Sequence, residues 1–368
     1  MGTMLLVRNK KSIGNYCFKL LGSRVRLRFL SWLLEKRHHS SPVIFSGNNS
    51  GIKKLLLIVP EEPFDALLQI PTVMALCNHF RAKEVWLLCP TGITPYFRTI
   101  EGVNQVIEYN PDDRWLFTAG SRTVRSQIMR EQFDTCLLLE RNPDEALLFW
   151  CGSSGARLRA GYHGAAEFPF VNIQVKASTE RSNRVQANRL LGEVFGCPKG
   201  VADHWVVAKQ QLAEIRHMLG EFSLSAEKPL VGIEIDWLLT AFNKQWVLEL
   251  VDAVRQAVGE TGGIYLFSYQ SPDKGVGGLI AASGLPCITN LAIAQIAALV
   301  ASTGVVVAGP SLLLVMAGLL KKPAIGIVTA DECALYCESV AHLHPVVYSN
   351  RPDDTVLSAV IAELTGLI

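Results

Sequence analysis

Short apolar runs recur along this chain at the spacing of buried strands, with helical stretches between them. Leu55–Val59, Val85–Cys89, Val106–Tyr109 and Thr135–Leu139 are nearly continuous apolar runs without the alternation of a half-exposed strand. Such strands are covered on both faces, and strand alternating with helix implies a parallel sheet sandwiched by helices. The intervening helices are predicted over 65–80, 91–101, 119–131, 143–151 and 183–196, and 200–225 reads as a connecting region. The pattern then restarts with strands Leu230–Ile235, Ile264–Ser268, Val305–Ala308 and Ala324–Val328. Helices are predicted near 243–258, 274–283, 292–302 and 311–321, and a last one over 353–367. The fold class is therefore α/β, with two Rossmann-like, doubly wound domains facing a cleft. The expected division is an extension at 1–52, a first domain at 53–205 and a second at 206–368. Ligands of such sheets sit beyond the carboxyl ends of the strands, so the strand-to-helix loops are where chemistry is sought.

Charge separates the extension from the body. Residues 1–54 hold eleven Lys/Arg and one acid, Glu35, whereas the remaining 314 residues hold 24 basic and 32 acidic ones. An acidic body argues against nucleic acid as a partner and directs any polyanion or membrane contact to the N-terminus. Residues 13–37 place Phe18, Leu21, Val25, Phe29 and Trp32 at helical spacing, with Arg24, Arg28, Ser31 and Glu35 on another face. A basic amphipathic helix of this kind suits an anionic membrane surface, although it could equally pack on the body with its arginines in water. An organellar transit peptide is a third reading. Residues 38–52 are rich in Ser, Gly and Asn and read as a linker.

Residues 275–320 contain no Asp, Glu, Lys or Arg. Gln295, Ser302, Thr303, Gly304 and Pro310 interrupt the stretch, which therefore reads as buried helix, strand and helix rather than as a membrane span. Nine scattered cysteines without a C-x-x-C pair read as reduced thiols of a cytoplasmic protein. Cys333 and Cys337 lie near His342 and His344, but a zinc site needs a second matching pair, so no metal is expected.

Three loops could carry chemistry. Asp65 follows the first strand at the start of a helix, where it is either an N-cap or a general base at the cleft. In the second half, Glu234 and Asp236 alternate onto one face of a strand end, suited to ribose hydroxyls or to an exposed terminus. Lys244 begins the next helix, where a cation opposes the helix dipole unless an anion such as a diphosphate binds nearby. The Gly309-Pro310-Ser311-Leu312 turn opens a helix whose free N–H groups could receive a phosphate, with Ser311 as its cap. There is no G-x-G-x-x-G, Walker loop or G-x-S-x-G elbow.

The order of these pieces resembles the ADP-heptose:lipopolysaccharide heptosyltransferases, the family 9 glycosyltransferases. Asp65-Ala66-Leu67-Leu68-Gln69-Ile70-Pro71 is similar to the family's opening G-D-x-L-x-x-x-P, and Ala156–Tyr162 to its R-x-G-Y strand. Helix 183–196 and Thr240…Lys244-Gln245-Trp246 follow, the latter like T-x-x-x-K-x-W, and Val306–Pro323 resembles V-V-G-N-D-S-G-P-M-H-L-A-A-A-L-G-K-P. The resemblance spans roughly 53–365. It implies a GT-B fold and metal-independent, inverting transfer of a heptose-like sugar from an ADP-heptose-like donor. The acceptor would be a lipid-linked, lipopolysaccharide-core-type saccharide at the inner face of the cytoplasmic membrane. It further implies Asp65 as base, Thr240 and Lys244 on the donor phosphates and Asp273 at the ribose, with no cofactor besides the donor. Here Phe64 replaces the family Gly, and in the last segment Pro310, Leu312-Leu313 and Val315 replace the Asp, the Gly-Pro and the His. Only Ser311 is retained. Loss of these polar groups suits a donor site that has changed or disappeared, so the alternative is a catalytically silent member acting as a binding or scaffold subunit.

Overall fold

A computed structural model describes residues 23–35, 51–81, 83–163, 169–176, 184–198, 205–224, 229–259, 262–269, 271, 274–336, 342–349 and 354–368. Its first sheet contains β1 (Lys54–Ile58), β2 (Glu84–Pro90), β3 (Val103–Tyr109), β4 (Thr135–Leu138), β5 (Leu158–Tyr162) and β6 (Ile173–Val175), ordered β3-β2-β1-β4-β5-β6. The second contains β7 (Leu230–Glu234), β8 (Gly263–Ser268), β9 (Cys287–Thr289), β10 (Val305–Ala308), β11 (Ala324–Thr329) and β12 (Leu343–Tyr348), ordered β12-β11-β10-β7-β8-β9. All pairings between these strands are parallel. Both sheets follow the Rossmann order, with switch points between β1 and β4 and between β7 and β10.

In the first half the helices are α1 (Ser23–Glu35), α2 (Pro63–His79), α3 (Thr94–Phe97), α4 (Ala119–Glu131), α5 (Glu145–Ser153) and α6 (Arg184–Val194). From there on they are α7 (Lys209–Glu221), α8 (Asp236–Ala241), α9 (Lys244–Val258), α10 (Lys274–Ser283), α11 (Ile293–Ser302), α12 (Leu312–Leu319), α13 (Ala330–Tyr336) and α14 (Asp354–Leu367). Their starts follow local chemistry. Asp144 opens α5 by accepting from Leu147 N, and Asn243 opens α9 by accepting from Trp246 N, both at 2.9 Å. Pro63 stands in the first turn of α2, where its missing N–H costs nothing.

The period of two along β1 divides the core. Leu56 and Ile58 face a cluster with α1, α4 and α5, whereas Leu55 and Leu57 face α2 on the other side. That second cluster continues without a break into the other half: α2 packs against α12, α3 against α11, and α7 against α11. The part of the charge-free stretch that forms α11 and α12 is interior for two reasons, because these helices cover their own sheet and also meet the first half. No helix among the described residues is long and apolar enough to cross a membrane.

Several expectations change. The helix expected at 91–101 is only α3, since turns take up the chain before β3, which itself begins at Val103. Residues 200–225 are more than a connector: α7 turns Leu212, Ile215 and Leu219 toward the core, a helical stripe legible in hindsight. The loop expected after β7 is largely the short helix α8. Strands β6, β9 and β12 are short or carry polar residues and gave no clear apolar run. Phe18, Leu21, Cys337 and nearly all of the 38–52 linker lie outside the described residues.

Candidate functional site

On the first sheet, the β1–α2 turn presents Asp65 beyond the strand's carboxyl end. Asp65 is not the N-cap. Glu62 holds that place, its Oε2 accepting from Asp65 N at 2.8 Å, which leaves the half-buried Asp65 carboxylate in the first turn of α2. Carboxylates crowd here. Glu140, at the end of β4, has its pKa raised by burial and by the charges of Asp65 and Asp144, against the lowering effect of the Asn142 and Arg141 backbone N–H groups. Arg114 offsets part of this negative field by pairing with Glu61 and, at 3.2 Å, with Asp144. Arg141 lies 5.3 Å from the Tyr162 ring centre and donates to Asn188 Oδ1 at 3.0 Å. Tyr162 OH donates in turn to Asn188 O, and the buried Gln69 donates to Leu139 O at 2.7 Å. The acidic turn therefore rests on a wired polar floor.

On the second sheet, the elements after β7 and β10 meet, but differently from what the sequence suggested. Asp236 is tied down: Oδ1 accepts from Ser268 Oγ at 2.7 Å and Oδ2 from Tyr269 N at 2.6 Å. Glu234 is wholly buried, so it reaches no ribose from here. Its Oε1 accepts from Trp237 N at 2.8 Å, and the backbone N–H groups of Gly309 and Asp236 also face the carboxyl. Burial still prevails and pushes its pKa up to about 7. Thr240 is exposed and donates to Asp236 O within α8. Lys244 is exposed at the start of α9, and its ammonium runs beside Gly278 of α10. Asp273 lies outside the described residues.

The Gly309–Leu312 turn keeps its strand-turn-helix form, yet the chain's own side chains occupy it. The Trp237 ring lies so close over Gly309 that any Cβ there would collide with it. Trp237 belongs to an aromatic cluster with Phe242 and Tyr348, and Phe242 also meets Trp246 at 4.3 Å between ring centres. Leu313 N, one of the free donors of α12, gives its hydrogen to Tyr269 OH at 2.9 Å. Ser311 makes no capping bond and lies beside the same phenol. Burial raises the Tyr269 pKa above its ordinary value, so the group at this helix end is a neutral hydroxyl. Tyr269 and Trp237 are residues that the sequence reading missed. The available signals were an aromatic immediately after β8 and a Gly with no polar neighbour.

No protein-family profile matches the sequence, and no curated protein does. Solved structures do. A family 9 glycosyl transferase from Veillonella parvula DSM 2008 superposes with a TM-score of 0.71 at 12% identity, covering 85% of this chain and 97% of that one. E. coli ADP-heptose LPS heptosyltransferase II gives 0.68 at 16% identity over 85% and 98% of the two chains. E. coli heptosyltransferase WaaC with ADP gives 0.63 at 14% identity over 86% and 100%. At such identities the likeness establishes the fold: this chain has the two-sheet GT-B architecture of those transferases, as the motif order implied.

Proposed function

We propose that the protein is a nucleotide-sugar-dependent glycosyltransferase with its acceptor on the first sheet and its donor on the second. The observation that carries this reading is the placement of Asp65 and Lys244 beyond the carboxyl ends of β1 and β7, the strands beside the two switch points. In the reaction the acceptor hydroxyl attacks the anomeric carbon from the face opposite the leaving group, which inverts the centre. Asp65 takes the hydroxyl proton as the new C–O bond forms, and the glycosyl–phosphate bond breaks to release the nucleoside diphosphate. The Lys244 ammonium offsets charge developing on that diphosphate, which is work a metal ion does elsewhere, and Thr240 stands near the end of α8, across the Phe242–Asn243 break from it. The heptosyltransferase likeness supports an ADP-heptose-like donor and a lipid-linked, lipopolysaccharide-core-type acceptor at the cytoplasmic face of a membrane. The donor-binding half would be residues 206–368.

A second reading is favoured by a specific observation. Tyr269 OH and the Trp237 ring fill the space at Leu313 N and Gly309 where a donor's diphosphate would approach. A chain fixed in that form would be a silent binding or scaffold subunit. Calorimetric titration with ADP and ADP-heptose separates the two readings. Micromolar binding that is abolished in Lys244→Ala supports the transferase, in which Trp237 and Tyr269 move aside on binding. Absence of heat with every nucleotide sugar tested removes the transferase reading and leaves the scaffold.

A further inference from the structure

We infer that the carboxyl edge of the first sheet recognises a saccharide acceptor carrying a protonated amine, which Glu140 and Asp144 hold. This rests on the first half being the acceptor half and adds the acceptor's charge to that reading. Glu140 stands just beyond β4, beside the β1–β4 switch point, and Asp144 opens α5. Both are half-buried. Asp65 adds its charge from the first turn of α2, and burial together with the charges of Asp65 and Asp144 raises the Glu140 pKa. A carboxyl group perturbed in this way at a cleft is a candidate for ligand contact.

The chain supplies Glu140 with backbone groups and no cation. Its Oε1 accepts from Asn142 N at 2.9 Å, and the Arg141 N–H also faces the carboxyl. Among the described residues none forms an ion pair with it. The Arg114 guanidinium is engaged by Glu61 and, at 3.2 Å, by Asp144. The Arg141 guanidinium is turned to Asn188 Oδ1 and the Tyr162 ring. Asp144 keeps acceptor capacity: Oδ1 takes the Leu147 N hydrogen and Oδ2 faces Arg114 Nε, and each oxygen retains a second lone pair.

Tyr109 points to the same ligand independently. It ends β3, is only 4% exposed, and holds its ring edge-on to Trp150 at 5.0 Å between centres. Its hydroxyl has no hydrogen-bond partner among the described residues, although it lies within the fields of Asp144 and Glu140. Burial, Cys89 and those two acids raise its pKa, so the group is a neutral hydroxyl. A buried hydroxyl without a partner is uncommon in a folded chain and destabilises it, which marks a place where a ligand completes the set. An ammonium group, with three hydrogens and a positive charge, answers Glu140, Asp144 and the Tyr109 oxygen together. A phosphate or carboxylate on the acceptor is repelled by both acids here, and a neutral hydroxyl leaves the Glu140 charge uncompensated.

The test is calorimetry of the full chain, without donor, against a glucosamine tetrasaccharide and its fully N-acetylated counterpart. At low salt and about pH 6 the free-amine saccharide should bind about tenfold or more tightly than the acetylated one. Glu140→Gln keeps an oxygen for Asn142 N and should remove about that whole preference. Tyr109→Phe breaks no hydrogen bond among the described residues, so it should melt like the parent and bind the amine about threefold more weakly. Glu101→Gln, exposed in the turn before β3 at the other end of the sheet, controls for general attraction to an acidic body and should bind like the parent. Equal affinity for the two saccharides overturns the proposal. So does parent-like binding by Glu140→Gln, or by Tyr109→Phe where the first variant does not fold, and so does an equal loss in Glu101→Gln. ADP is titrated separately. Nucleotide binding without the amine preference removes this inference and leaves the transferase, whereas the amine preference without nucleotide binding upholds the recognition and removes the transferase.

Discussion

Glu234→Gln isolates one buried carboxyl, and its consequence for stability can be worked through. Burial raises the Glu234 pKa from the ordinary 4.5 to about 7, although backbone N–H groups of Trp237, Gly309 and Asp236 pull the other way. The folded chain therefore holds the proton more tightly than the unfolded chain does. Its contribution to stability is complete below about pH 4.5 and is lost as pH rises through about 7. At roughly 1.4 kcal/mol per pH unit the loss amounts to about 3 kcal/mol, an upper figure for a turn that can relax. Glutamine keeps an oxygen for Trp237 N but has no proton to lose. Urea unfolding of both proteins at about pH 4 and about pH 8.5 should show near-equal stability at the lower pH. At the higher pH the variant should be the more stable by up to about 3 kcal/mol. Every other titrating group cancels in that difference. If the two pH profiles run parallel, Glu234 does not carry its proton into the fold, and the turn between β7 and Gly309 is open to water.

Other perturbations probe neighbouring contacts. Gly309→Ala forces a methyl group into the Trp237 ring and should cost about 1–3 kcal/mol, read as a lower Tm with a red shift of tryptophan emission. Tyr269→Phe removes the acceptor for Leu313 N, and should cost about 1 kcal/mol while allowing pyrophosphate to raise the Tm more than it does in the parent. Leu30→Ala empties a fully buried position between α1 and α5. Its expected loss of about 2–5 kcal/mol would appear in thermal unfolding or as proteolysis confined to the N-terminus. Cys77 and Cys89 have thiols pushed up to about 12, chiefly by burial, so both should resist alkylation at pH 8 until the chain is unfolded.

What was legible in the sequence depends on which interactions are local. The apolar runs marked the central strands of both sheets, because a strand buried on two faces is apolar along most of its length, as β1, β4, β7 and β10 are apart from Lys54, Thr135 and Glu234 at their ends. Their alternation with helices settled the parallel, doubly wound architecture, and the resemblance of the motifs from Asp65 to Pro323 to the heptosyltransferases implied the GT-B fold that the superpositions then established. Neighbours distant in sequence decided the rest. Glu234 read as a cleft carboxylate, yet Trp237 and Gly309, on two different strand-to-helix turns, close over it. Tyr269, 44 residues from Leu313, occupies a helix end that the sequence left open for phosphate. The basic helix divides in the same way. Its charge excess and its Val25, Phe29 and Trp32 stripe were fixed by composition and period. Which stripe is buried was decided by α5, whose Gly152 admits Leu34 and whose Glu145 receives Arg26. Periodicity shows that a face is apolar, but only packing determines what that face meets.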